Sequence, residues 1–219
     1  MTPIPPSPRL LAPVLLLFAA LLAGALAAQE GERPEGWMVR FDRPGSTEAQ
    51  LETFEEMPPG IHITTGPAGI FWEPGMTADG TFRLELEVFL FDPRGRREGF
   101  GLFFGGSDLE GPDQAYGYFL LRDGGQFIVK RREGEEAPTV IGWTAHEAVR
   151  AWADRPEGEA SVRNVLAVEA GTEEVRFLVN GEEVARLPRE RIPVDGQVGV
   201  RVNHALDLHL ARLEVQPLG

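Results

Sequence analysis

No cysteine occurs anywhere in the 219 residues, which removes disulfides, thiolate metal sites and a lipid-anchor cysteine from consideration. Basic residues are also scarce: 21 Lys and Arg face 34 Asp and Glu, for a formal net charge of −13. A field of that sign repels phosphate backbones and anionic lipid, so neither nucleic acid nor a membrane surface is an expected partner. Sequence motifs for chemistry are missing as well. His146 and Glu147 begin a zinc-type H-E-x-x-H, but Arg150 stands where the second imidazole belongs. Leu109 stands where G-x-S-x-G needs its last glycine after Ser107. No phosphate loop or dinucleotide-binding glycine pattern is present, so no cofactor is expected.

The N-terminus carries the most specific signal. Arg9 precedes an apolar run that ends in small residues, with Ala25, Leu26 and Ala27 forming an A-x-A cleavage site. Pro13 interrupts the run, which favours a cleaved export signal over a retained transmembrane anchor. Residues 1–28 are thus read as a signal peptide, 29–36 as a polar disordered leader, and 37–219 as one domain, placed in the periplasm or outside the cell and off the membrane after cleavage. The removed segment holds one basic residue and no acid, so the mature charge is −14.

The dominant pattern in the mature chain is of period two. Phe82, Leu84, Leu86, Val88 and Leu90 share one face of a strand; Arg83, Glu85 and Glu87 share the other. Val175, Phe177 and Val179 repeat the alternation, as do Val198, Val200 and Val202. Turn chemistry at 123–125 (DGG) and 180–183 (NGEE) predicts two hairpins. Near the C-terminus the apolar set shifts by one between Leu210 and Leu213, which predicts a bulge at Ala211 and Arg212. Residues 144–154 are the one helical candidate, with Thr144 as cap and Glu147 completing a capping box. The economical architecture is all-β: a two-layer antiparallel sandwich with Leu84, Leu86, Val88, Phe177, Val179, Val200 and Leu208 in the core.

Three stretches carry a resemblance: YGYFLLRDGGQFIVKRREG, NVLAVEAGTEEVRFLVNGEEVA and GQVGVRVNHALDLHLARLEV. Together they resemble secreted bacterial domains with the concanavalin A-like lectin/glucanase jelly roll, in particular the 3-keto-disaccharide hydrolase-like group. They span roughly residues 100 to 215, and FDRPG through FRLELEV fits the same layout more loosely. The resemblance implies the jelly roll; the superfamily holds lectins, enzymes and adhesion modules alike. Jelly-roll glucanases of this kind set their acids in an E-x-D-x-x-E strand, and Leu90 stands where the second glutamate belongs. Glu85 and Glu87 are therefore read as a solvated outer face rather than a catalytic pair.

The Gly- and Asp-rich loop in FGGSDLEGPDQAYGYF, residues 104–119, is the candidate rim of a site. Tyr116 and Tyr118 share a strand face, and with Trp143, Asp108 and Gln114 they are the expected ligand-binding residues, since sugar rings stack on aromatic rings while polar groups read the hydroxyls; the competing reading of each tyrosine is core filling, with its hydroxyl satisfied at the rim. Calcium is the competing use of the loop, through Asp108, Glu110, Asp113 and carbonyls. Lys130, Arg131 and Arg132 are read as solvated edge residues, and Asn203, His204 and Asp207 as a turn. The expected function is noncatalytic recognition of a glycan or other extracellular ligand. A glycoside hydrolase acting on 3-keto sugars and a structural module of the envelope are the alternatives. Nothing in the sequence fixes an oligomeric state.

Overall fold

The computed structural model describes Met1 and residues 31–219, and the signal-peptide reading lies outside the described residues. Fifteen strands follow in chain order: β1 (Met38–Phe41), β2 (Thr53–Glu56), β3 (Ile61–Thr64), β4 (Gly69–Trp72), β5 (Thr77–Ala78), β6 (Phe82–Leu90), β7 (Gly99–Ser107), β8 (Ala115–Arg122), β9 (Gln126–Glu133), β10 (Thr139–Ala145), β11 (Val162–Ala170), β12 (Glu174–Val179), β13 (Glu182–Pro188), β14 (Gly196–Val202) and β15 (Asp207–Pro217). They form two antiparallel sheets. The front sheet runs β1-β4-β14-β7-β8-β9-β10, with β5 beside β14, and the back sheet runs β13-β12-β11-β6-β15-β3-β2.

Alternation explains the layering. β6 buries every second residue, and all seven core residues named from the sequence are fully buried between the sheets. Phe177 of the back sheet meets Phe104 and Phe119 of the front sheet at ring-centre distances of 6.1 and 5.2 Å, and Phe119 meets Phe127 at 6.0 Å. The outward residues of the back sheet form a charge ladder, Arg186–Glu183–Arg176–Glu169–Arg83–Glu85–Arg212. Glu87 pairs with Arg163 beside it. Glu85 and Glu87 are thus each matched by arginines on neighbouring strands, which is the solvated-face reading of these two acids.

Both hairpins form: Arg122 pairs with Gln126 across DGG, and Val179 pairs with Glu182 across Asn180–Gly181, which take φ of 51° and 88°. Two positive φ values are what a tight two-residue hairpin turn demands of its centre. The predicted bulge appears as a register shift between Leu210 and Arg212 opposite β6.

The helical candidate does not form. Thr144 lies inside β10, which pairs with β9, and only a short 3-10 turn at Trp152–Asp154 follows. Two asparagines supply the reason. Asn164, 1% exposed, accepts from the Arg150 N–H and donates to the Arg150 carbonyl, while Asn180 donates to the Ala148 carbonyl and to Asn164. Backbone groups that a helix would satisfy internally are here satisfied by side chains of the sheet. Asn164→Ala should therefore cost about 2 to 6 kcal/mol in urea unfolding, because it strands two backbone groups at about 1 to 3 kcal/mol each.

Two further sequence readings change. β9 lies between β8 and β10, so Lys130, Arg131 and Arg132 are not on a sheet edge. The described part of the leader is tied to β2 and to the 3-10 turn before it: Gly31 N–H donates to Glu55, the Glu32 carbonyl accepts from Glu56 N–H, and Arg33 pairs with Glu48 in the turn Glu48–Gln50.

Candidate functional site

The outward face of the front sheet is not polar like that of the back sheet. Ile70, Trp72, Phe103, Tyr116, Tyr118, Leu120 and Ile128 form a second buried apolar cluster there, with Met38 and Trp143 packed against it. This accounts for β7 and β8, which bury both faces and so lack the alternation of β6. Gly199 makes room for the cluster, since a Cβ there would meet a Phe103 ring carbon at 2.5 Å and the Phe71 carbonyl at 2.4 Å.

A charged pair is set into this face. Arg201, opposite Gly101 on β14, is 7% exposed; its guanidinium grips both oxygens of Asp42, donates to the Tyr116 hydroxyl at 3.0 Å, and lies 5.0 Å from the Tyr118 ring centre. Burial pushes the Asp42 carboxyl up, but the hydrogen bonds and charge of Arg201, aided by Arg132 and His204, more than offset it and hold the group below its ordinary range. Burial raises both phenols, Tyr118 to about 12, so both stay neutral. The Nε of Arg201 is buried without a partner among the described residues.

The 104–119 loop is fastened onto this face. Asp108 takes φ of 47° and its carboxylate accepts from the Asp113 N–H at 2.9 Å. One terminal nitrogen of Arg40 donates to the carbonyls of Leu109 and Gly111, at 2.6 Å each, and Leu109 is buried in the apolar cluster. Two carbonyls of the loop, those of Leu109 and Gly111, are thus taken by a guanidinium. Between this loop and the segment after β1 opens a cleft of about 960 Å³, lined by Met38, Arg40, Asp42, Trp72, Glu110, Pro112, Gln114, Arg132 and Glu135 among others.

Of the five residues expected to bind ligand, the structure brings together Tyr116 and Tyr118, whose rings lie 5.8 Å apart. At 1% and 4% exposed they belong to the buried apolar cluster and do not line the cleft, so they offer no open stacking platform. Gln114 lines the cleft, is 6% exposed, and its side-chain amide makes no hydrogen bond among the described residues. Trp143 lies on the same face at β10, stacked beneath Arg122 at 4.1 Å, and Asp108 serves its own turn. Sequence reasoning missed Asp42, Arg201, Arg40 and Trp72. No sequence signal marked Arg201, because Gln197, Gly199 and Arg201 alternate with the core valines of β14 and read as a solvated face.

No protein-family profile matches the chain. No curated protein matches it either. Solved structures do. A carbohydrate-binding module, CBM66 from Bacillus subtilis, superposes with a TM-score of 0.58 at 13% identity, covering 83% of this chain and 95% of its own. The exoplasmic/lumenal domain of VIP36, in a Ca2+/mannose-bound form, gives 0.56 at 8% identity over 84% and 83%. A legume lectin-like domain from Entamoeba histolytica gives 0.50 at 12% identity over 84% and 91%. At such identities the likeness is one of fold, and it establishes the chain as a two-layer antiparallel sandwich of the concanavalin A-like jelly-roll type.

Proposed function

We propose that this is a secreted, noncatalytic domain that recognises a glycan through the cleft on the outward face of the front sheet. The observation that carries the reading is Gln114, a residue 6% exposed that lines a roomy cleft and whose side-chain amide has no hydrogen-bond partner among the described residues. A free amide in a cleft that also presents Met38 and Trp72 suits a sugar, whose hydroxyls need directed hydrogen bonds and whose ring faces need apolar contact. The fold shared with a carbohydrate-binding module, a mannose-bound domain and a legume lectin-like domain supports the same reading.

Asp42, which lines the cleft, is not placed to serve as a glycosidase acid: both its oxygens are taken by Arg201, which holds its carboxyl below the ordinary range, whereas such an acid lies above it. A glycan array probed with the mature protein should give a defined set of binders, and Gln114→Ala should weaken them by about 1 to 2 kcal/mol, the scale of one lost hydrogen bond, with the unfolding midpoint unchanged. Equal binding by the variant would move the site elsewhere.

Secretion rests on the apolar run and its Ala25-Leu26-Ala27 end. N-terminal sequencing of exported protein should find Ala28 or Gln29 first; Met1 would overturn it.

A further inference from the structure

We infer that the glycan taken by this cleft carries carboxylate groups, met by Arg132 on its wall, with Lys130, two positions along the same face of β9, adding its charge from behind; the inference rests on the glycan reading above and names its ligand class. Lys130 and Arg132 stand at alternate positions of β9, opposite Tyr118 and Tyr116, and so share the outward face with Arg201 and Asp42. Both oxygens of Asp42 are taken by Arg201. Among the described residues neither Lys130 nor Arg132 has a carboxylate partner, and the Nε of Arg201 is buried without one.

The Nε of Arg132 donates to the Gly134 carbonyl at 2.6 Å, which fixes the plane of the guanidinium and leaves its terminal nitrogens without an acceptor among the described residues. A planar fork so presented matches a carboxylate bidentately, and an ammonium beside it adds a point charge. The lysine senses its neighbours: burial, then Arg201 and Arg132, hold Lys130 below its ordinary range. Three cations and one committed carboxylate leave this patch positive inside a chain of net charge −13.

The acids at the mouth do not cancel it. Glu48 is paired with Arg33, while Glu110 and Glu135 are exposed, where salt screens them over about 8 Å. Uncompensated cations on a half-buried face of an acidic protein are costly to the fold, and an incoming carboxylate relieves that repulsion.

The test is calorimetric titration of the mature protein with oligomers of galacturonic, guluronic and mannuronic acid, and with the same oligomers after reduction of every carboxylate to a primary alcohol. At least one acid form should bind about tenfold or more tighter than its reduced counterpart, the scale of one charge-assisted contact. High salt and Arg132→Gln should each shrink that gap, with the variant's unfolding curve confirming that it is folded. Reduced oligomers bound as tightly as the acids would overturn the inference and leave the glycan reading standing. So would acid binding that Arg132→Gln does not change, or an array on which only neutral glycans bind. An array with no binders at all would take down both.

Discussion

Asp42→Ala is expected to destabilise the domain by about 3 kcal/mol or more, far beyond the typical surface substitution. The reason is the partner left behind: Arg201 is 7% exposed, and without Asp42 its charge keeps the Tyr116 hydroxyl but loses its counter-ion. Breaking one side of a buried ion pair costs about 3 to 5 kcal/mol, whereas replacing both sides by apolar groups is often near neutral. The Asp42→Leu/Arg201→Met double variant should accordingly be more stable than Asp42→Ala in urea unfolding. A double variant less stable than the single would show that the pair is worth more than the charge it compensates. The pH dependence follows with its sign. The folded carboxyl of Asp42 lies below its unfolded value of about 3.9, so its contribution is complete above that value and is lost as pH falls through the folded one. Wild type should lose part of its stability below about pH 4, in a step that Asp42→Asn lacks.

Phe177→Ala is expected to cost about 3 to 5 kcal/mol, a large share of the about 5 to 15 kcal/mol that holds a domain folded. Phe177 is 0% exposed and its ring bridges the sheets to Phe104 and Phe119, so truncation removes both its own burial and the contacts of two further rings. Packing on both sides leaves little room for collapse into the void. The check is the unfolding midpoint in urea with the slope unchanged. A loss below about 1 kcal/mol would mean that the sheets close over the cavity and that the ring network is not the joint between them.

The contrast between these sites shows what the sequence could disclose. Phe177, Leu84 and Val200 were legible because period two is imposed by the strand itself and survives wherever one face is apolar and the other wet. The Asn180–Gly181 turn and the Ala211 bulge were legible because each leaves a local mark on composition or phase. β7 left no such mark, because its outward face is buried under a second apolar cluster and carries glycines. Residues 144–154 read as a helix because the capping pattern is local, while the competitors, Asn164 and Asn180, belong to other strands. The site was half legible. Tyr116, Tyr118 and Gln114 sit close together in sequence, and their strand and loop chemistry pointed to them. Asp42 and Arg201 lie 159 residues apart and meet only because β1, β4 and β14 are neighbours in the front sheet. No spacing rule joins residues across a sheet order of that kind.

The most direct test of the account is to map binding by the shifts of backbone amide resonances, titrating the labelled mature protein with the strongest glycan from the array. Shifts should gather in β1 and the 42–48 segment after it, in the loop from Leu109 to Gln114, and at Lys130 to Gly134, with the charge ladder on β6, β11 and β12 unmoved. Shifts centred on that ladder, or scattered over both sheets, would contradict it.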